Sequence, residues 1–449
     1  MGSRIERLKL LADIDFHVGL TLLLRSWGIV AGAAMVFAIP LTLNPQQQGY
    51  YFTFSSLLGL QIFFELGLNQ VVIQMVSHEM ASLSWGKTGT LAGDSVHIDR
   101  IKSIVSILRR WYAWAAVLFL LVTVTAGVIL FERAGPLPKQ EWVGPWSLLV
   151  VVAAINLYYS PMLAVVEGCG NVGQVARLRF VQSAVGYGLT WLALFAGAGL
   201  WAIPLIAGTA GLCTFAWLRA DSHLIRTFDS TERIAPERSV NWRREVLPFQ
   251  WRIALSWMSG YLLFQLFTPL AFVNLGPVVA GQIGITLAIF AAVQAVGISW
   301  INARLPTLTA LATRGERQPL NAAFDAVLTR ALTVTSLGSA AVVLGAFVIS
   351  ASGVAQLSRL ADLPTLVCMA LTTATNTAIY GAASYMRAHR EEPMLPVSLT
   401  TGALTLVAVY FASQHSALAT MLAQAVVTLG ISLPWTLVLF RRYRLRGVV

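Results

Sequence analysis

Charge is what this sequence has least of. Only 11% of its 449 residues are Asp, Glu, Lys or Arg, against about 25% in a soluble domain. That excludes a disordered chain and a soluble nucleic-acid-binding domain, and it argues against a soluble enzyme. Cysteine is scarce as well. Cys169, Cys213 and Cys368 are far apart, in or near apolar stretches, so they offer neither a metal-ligand spacing nor a disulfide framework. Walker A, HExxH and G-x-S-x-G motifs are missing. No two of the six histidines lie at ligand spacing on one helix. The sequence therefore predicts no enzyme, no metal and no cofactor. The N-terminal segment lacks a small-x-small cleavage site, which argues against a cleaved signal. Glu6 stands where a myristoylation signal needs Ser or Thr.

What the chain has is hydrophobicity: 57% apolar residues and a mean hydropathy of +0.70. Twelve apolar runs follow one another, at 18–43, 50–78, 111–131, 146–168, 175–197, 201–219, 250–274, 280–303, 326–350, 363–386, 394–412 and 417–440. Each is close to the roughly 20 residues that cross a bilayer as a helix. None alternates as a barrel strand would, and lipid leaves no other spanning form that pairs its backbone groups. The prediction is an all-α polytopic membrane protein with about 12 transmembrane helices.

The formal net charge of +11 then reads as basic loops, without nucleic acid. With the N-terminus cytoplasmic, nearly all of the 31 Lys and Arg fall on the inner side. Only Arg133, Lys139 and Arg359 fall outside, and Arg25 lies within the first run. The positive-inside rule puts both termini in the cytoplasm. The stretch 81–110 carries Ile98, Ile101, Ile104, Val105 and Leu108 at helical spacing beside basic residues, which predicts an interfacial helix. Trp111, Trp142, Trp146, Trp201, Trp242 and Trp251 sit at run edges, the positions of an aromatic belt.

A polar loop near 220–249 divides the runs six and six. The expected organisation is an N-terminal six-helix lobe over 1–222, a cytoplasmic linker over 223–248 and a C-terminal six-helix lobe over 249–449. An even number per lobe orients both alike, so the repeat is parallel. A faint internal match agrees. A shift of 233 residues puts Thr53 on Thr286, Gln61 on Gln294 and Asn69 on Asn302. Ser26-Trp27 and Ser256-Trp257 match at 230, and Pro40-Leu41 and Pro269-Leu270 at 229.

Polar residues inside the runs are the candidates for function. Glu65 is near the middle of the second run, where a charge costs about 2.5–3.5 kcal/mol on insertion scales. Gln61, Glu65 and Asn69 follow i, i+4, i+8 spacing, so a continuous helix presents them as one stripe. That stripe reads as a cavity wall with a protonatable group, or as a hydrogen-bonded clamp between helices. Gln294 and Asn302 repeat it in the eighth run, with Ile298 in place of the acid. Asn376, Tyr380 and Ser384 make a second stripe, and Asn156, Tyr158 and Tyr159 precede Pro161; amides and tyrosines of this kind contact sugars or neighbouring helices. Glu167 is placed to pair with Arg177 or Arg179. Arg25 and Arg252 fall near each other when the Ser-Trp pairs are superposed. Their guanidinium forks suit phosphate oxygens, or they snorkel to headgroups.

The stretches Gly49-Tyr50-Tyr51-Phe52-Thr53-Phe54-Ser55-Ser56-Leu57-Leu58 and Phe63-Phe64-Glu65-Leu66-Gly67-Leu68 resemble the second helix of polysaccharide-type flippases. These belong to the multidrug/oligosaccharidyl-lipid/polysaccharide exporter superfamily. Pro248-Phe249-Gln250-Trp251-Arg252-Ile253-Ala254-Leu255-Ser256-Trp257 and Ala280-Gly281-Gln282-Ile283-Gly284 are similar to the opening of their second half. The resemblance implies two six-helix lobes around a central cavity and alternating access. The implied cargo is a polyprenyl-diphosphate-linked oligosaccharide, moved from the inner to the outer leaflet of a bacterial inner membrane. Expected partners are this lipid-linked glycan, membrane lipids and glycan assembly enzymes. On this reading Arg25 and Arg252 attract the diphosphate, and Gln61, Asn69, Gln294, Asn302, Asn376 and Tyr380 hydrogen-bond sugar. Glu65 couples transport to protons or membrane potential. A drug/cation antiporter of the same superfamily is the alternative, and a membrane glycan polymerase or glycosyltransferase a further one.

Overall fold

The computed structural model describes residues 16–85, 91–220, 239–351, 358–389 and 393–445; the side chains of Arg25 and Arg252 lie outside the described residues. Every one of the twelve apolar runs falls on helix. In chain order these are α1 (Phe16–Thr42), α2 (Pro45–Leu58), the single turn α3 (Ile62–Glu65), α4 (Leu68–Met80), α5 (Ser95–Ala134), α6 (Lys139–Gly168), α7 (Val172–Phe195) and α8 (Pro204–Ala220). Then come α9 (Leu247–Phe264), α10 (Phe267–Leu275), α11 (Pro277–Arg314), α12 (Arg317–Ala351), α13 (Leu363–Ala388), α14 (Leu395–Ala412), α15 (Ala417–Val427) and α16 (Leu433–Leu445). Among the described residues nine spans are long and apolar enough to cross a membrane, and ten if α2–α4 is one bent span. The two runs that fall short are α1, whose apolar part is Ser26–Thr42, and α7, which carries Gln174, Arg177, Arg179 and Gln182 in its first half. The protein is a multi-pass α-helical membrane protein.

Local chemistry sets the helix ends. Asn44 opens α2 as a capping box: its Oδ1 accepts from Gln47 N at 2.8 Å, and Gln47 Oε1 accepts from Asn44 N at 3.3 Å. Pro45 occupies the first turn, where the missing N–H has no cost. Gly315, at φ 73°, closes α11 in the left-handed region.

The chain forms two compact units. The first comprises Met1–Ala38, Leu60–Val128 and Pro138–Ala254, and the second Ile39–Gly59, Ile129–Leu137 and Leu255–Val449. In the first unit small residues let helices approach. A Cβ on Gly168 would lie 2.7 Å from Val76, and one on Gly186 would lie 3.3 Å from Ile206. Gln182 Nε2 donates to Thr214 Oγ1 at 2.7 Å and Asn156 Nδ2 to Ala207 O at 3.0 Å. Glu167 pairs with Arg179 at 2.7 Å, the second of its two expected partners. In the second unit α11, α12, α13 and α16 enclose Leu308, Phe324, Tyr385, Met386, Phe440 and Tyr443.

Two expectations are corrected here. The 81–110 stretch is not an interfacial helix. It forms a short antiparallel hairpin, Leu83–Trp85 with Leu91–Gly93, followed by the first turns of the 40-residue α5. Ile101, Ile104 and Leu108 are fully buried, so the apolar stripe faces protein; a stripe reports that a face is covered, not by what. Trp142 and Trp146 likewise leave the belt, being fully buried. Gly127 provides the slot, because a Cβ there would overlap the Trp146 indole.

The end of the linker is fastened to the first unit. Arg100 donates to Glu79 Oε1 at 2.8 Å and to Glu245 Oε2 at 2.5 Å. Glu245 Oε1 accepts from Asn241 N at 2.9 Å, and Val240 N donates to Ser103 Oγ at 3.3 Å. Burial tends to raise the Glu245 pKa, but the Asn241 N–H and the Arg100 guanidinium outweigh it and hold the carboxyl below its usual 4.5. A depressed carboxylate contributes stability above its unfolded pKa and loses it as the pH falls through its folded one. The Glu245 side chain is 37% exposed, so solvent screening limits the pair to about 1 kcal/mol. We expect Glu245→Gln to speed amide exchange over 239–246 at neutral pH by up to about fivefold. The difference from the parent should close below pH 4.5. Equal exchange at neutral pH would show that the latch bears no load.

Candidate functional site

The second unit holds a polar pocket of about 370 Å³. Its residues follow helical spacing. Asn376, Ile379, Tyr380, Ala383 and Arg387 lie on one face of α13. Gln294 comes from α11, Thr401 and Thr405 from α14, and Gln424 from α15. The wall is completed by the π-helical turn Thr428–Ser432, an irregularity that recurs at functional sites. Among the described residues the lining includes no Asp or Glu, so the pocket's only formal charge is the exposed Arg387 guanidinium.

Polar atoms in this pocket differ in how they are used. Tyr380 OH donates to Asn302 Oδ1 at 2.8 Å, joining α13 to α11. Thr401 donates to Val397 O at 2.7 Å. Gln294 and Asn376 have no hydrogen-bond partner among the described residues. A half-buried primary amide offers two donors and an acceptor, and leaving them unmet in a low-dielectric setting costs about 1–3 kcal/mol each. The two amides are the groups best placed to accept a hydroxyl-rich ligand.

In the first unit the expected three-residue stripe is interrupted. The helix breaks after Glu65: Leu66 has φ 51° and Gly67 φ 67°, and α4 departs at 43°. Asn69 is therefore not on the same continuous face as Gln61 and Glu65, because the i, i+4, i+8 rule assumes an unbroken ladder. Leu66 is the one non-glycine residue with positive φ among the described residues. For an L-residue that conformation costs about 1–2 kcal/mol, a strain that persists mainly at functional positions. Gln61 Nε2 donates to Glu65 Oε1 at 2.8 Å. Asn69 accepts from Tyr112 OH at 3.3 Å and donates to Ser160 Oγ at 3.4 Å, the arrangement of an interhelical clamp. The repeat-matched asparagines, Asn69 and Asn302, thus both accept a tyrosine hydroxyl, whereas the matched glutamines diverge: Gln61 holds an acid and Gln294 is uncommitted.

Some lining residues carry no signal in the sequence. Arg387 lines the pocket because it continues the Asn376 face at i+11. Gln424 and Thr401 had no periodic pattern to single them out. Tyr158 and Tyr159 lie outside this pocket and border a largely apolar groove of the first unit.

No protein-family model matches the chain, and no characterised protein matches it by sequence. Solved structures do match. One is a multidrug resistance MATE family transporter of the MOP superfamily in an inward-facing conformation: TM-score 0.58, 13% identity, covering 94% of this chain and 96% of that one. The lipid II flippase MurJ, inward closed, gives TM-score 0.60 at 11% identity, with 95% and 87% covered. The eukaryotic MATE transporter AtDTX14 gives 0.55 at 13%, with 95% and 96% covered. These likenesses show that this chain shares the fold of those solved transporters.

Proposed function

We propose that this protein is a flippase that moves a polyprenyl-diphosphate-linked oligosaccharide from the inner to the outer leaflet of a bacterial inner membrane by alternating access. The observation that carries this reading is the acid-free pocket with two uncommitted amides, Gln294 and Asn376, beside Tyr380 and Arg387. Neutral donors and acceptors suit hydroxyl-rich sugar, and a guanidinium suits a phosphate. Arg25 and Arg252 supply further cations for the diphosphate, and Gln61, Asn69 and Asn302 further amides near the glycan. Both termini lie in the cytoplasm, and the halves 1–222 and 249–449 act as the two moving lobes. Glycan assembly enzymes supply the cargo. Glu65 couples movement to protons or to the membrane potential, which provides about 2.3 kcal/mol per charge per 100 mV.

A drug/cation antiporter is the second reading, favoured by Glu65 on its strained helix break. It calls for an acidic pocket, and the described lining of the Asn376 pocket includes no Asp or Glu.

Reconstitution separates the two. In proteoliposomes a fluorescent lipid-linked oligosaccharide should reach the opposite leaflet, and a fluorescent lipophilic cation should not accumulate after a pH step. Replacing both Gln294 and Asn376 with leucine removes two hydrogen bonds of about 1 kcal/mol each, so flipping should fall roughly tenfold or more. Cation uptake without glycan flipping would overturn the proposal.

A further inference from the structure

A second cavity lies in the first unit. It is an open groove of about 660 Å³ between α5, α6 and α8. Val117, Ile155, Tyr158, Tyr159, Gly211 and Phe215 are among its walls. Along α6 it runs from Val151 to Tyr159, about 12 Å at 1.5 Å per residue. That is close to the depth of one leaflet, about half of a 30 Å hydrocarbon core. Its floor is cleared by glycine. A Cβ on Gly208 would meet only Val152 Cγ1, at 3.7 Å, and one on Gly211 would approach nothing nearer than Ile155 Cγ2, at 3.6 Å. These are ordinary contacts, so helix packing does not require glycine at either place.

The groove is polar at one end only. There Tyr158 and Tyr159 meet edge to face at 5.0 Å, and Tyr159 leans on Phe215 at 5.9 Å. Neither tyrosine hydroxyl has a hydrogen-bond partner among the described residues. One turn further along α8, the exposed Arg219 guanidinium lies 4.5 Å above the Phe215 ring. It makes no ion pair among the described residues. A guanidinium stacked on a ring keeps its in-plane N–H groups free to donate.

We propose that this groove is a binding site for one phosphate-headed membrane lipid. A hydrocarbon chain lies along Gly208 and Gly211, and the phosphate is met by Arg219 and the Tyr158 and Tyr159 hydroxyls. The one-leaflet length and the single cationic end select a lipid of the leaflet on the Arg219 side over a second protein helix, which would need neither.

Native mass spectrometry on the full chain, delipidated and then titrated with phosphatidylglycerol or with phosphatidylcholine of the same acyl chains, tests the site. The parent should retain phosphatidylglycerol more tightly. Arg219→Gln should lower that preference about fivefold, equivalent to roughly 1 kcal/mol, while Arg219→Lys retains much of it. Gly208→Leu with Gly211→Leu should fill the groove and reduce retention of both lipids. Unchanged lipid preference in Arg219→Gln overturns the proposal even where the double variant does not fold. Full retention in a folded double variant, or a second copy of the chain seated in place of lipid, overturns it as well. The proposal does not depend on the flippase reading.

Discussion

Replacing Gly49 with valine should pull α2 away from α11 and destabilise the second unit more than any other single change considered. The two helices meet backbone to backbone. A Cβ on Gly49 would sit inside the Pro277 carbonyl, one on Gly281 would lie 2.9 Å from Gly49 N, and one on Gly284 would overlap Phe52. Pro277 cannot give way easily, because it opens α11 directly after Gly276 at φ 88°. The contact also carries polar and aromatic structure. Gln48 Nε2 donates to Gly281 O at 3.0 Å and to Arg359 O at 3.1 Å. Tyr261 OH donates to Ser56 O at 3.2 Å, and Ser56 Oγ donates to Gln265 O. Tyr50, Phe54, Phe131 and Phe272 interlock beside it with no exposure, Tyr50 meeting Phe272 edge-on at 4.9 Å. Overpacking alone costs about 1–3 kcal/mol, and each lost hydrogen bond adds about 1 kcal/mol. The total expected loss is therefore about 3 kcal/mol or more. Thermal unfolding in detergent, followed by tryptophan fluorescence, should show a large fall in Tm. Gly28→Val is the control, since nothing lies within 4 Å of a Cβ at Gly28. A Tm for Gly49→Val equal to that of the control would refute the close crossing.

Glu65→Gln should abolish energised transport and leave the fold intact. Glutamine keeps the shape and can still accept from Gln61 Nε2, which now donates to Glu65 at 2.8 Å. It cannot change charge, so a coupling role is lost while the local structure remains. With the gradient applied, the transport rate should drop tenfold or more, an effect of about 1.4 kcal/mol or larger on the driven step. Exchange of substrate at equal concentrations, which needs no coupling ion, should continue. A variant that retains the full gradient-driven rate would remove Glu65 from coupling; one that loses both activities and its Tm would assign the carboxylate to structure.

The helices were legible because lipid makes the problem one-dimensional: a span needs about 20 apolar residues, and all but α1 and α7 meet that test among the described residues. Orientation-independent pairings were legible too, as with Glu167 and Arg179. Asn376 and Tyr380 share the pocket face because α13 is continuous through them, whereas Ser384 is buried and donates to Tyr380 O. The break at Leu66-Gly67 was not legible. Glycine is common in membrane helices, leucine at 66 carries no turn signal, and the polar spacing around them mimics an unbroken face. The burial of Ile101, Ile104 and Leu108 was hidden for another reason. Their pattern specifies an apolar face, and protein and lipid satisfy it equally well.

The crossing of α2 and α11 bears on the faint internal match in the sequence. The register that aligns the repeats, 233 residues, is also the separation of Gln48 from the Gly281 carbonyl that it reaches. At this point Gln48 meets the residue that the 233-residue shift pairs with it. Equal side chains there would compete for one volume. Glycine at 281 resolves the conflict by leaving one partner bare, so that the other can bridge to main chain. A second glutamine at 281 would exclude the first; the bare position is what lets Gln48 reach main chain.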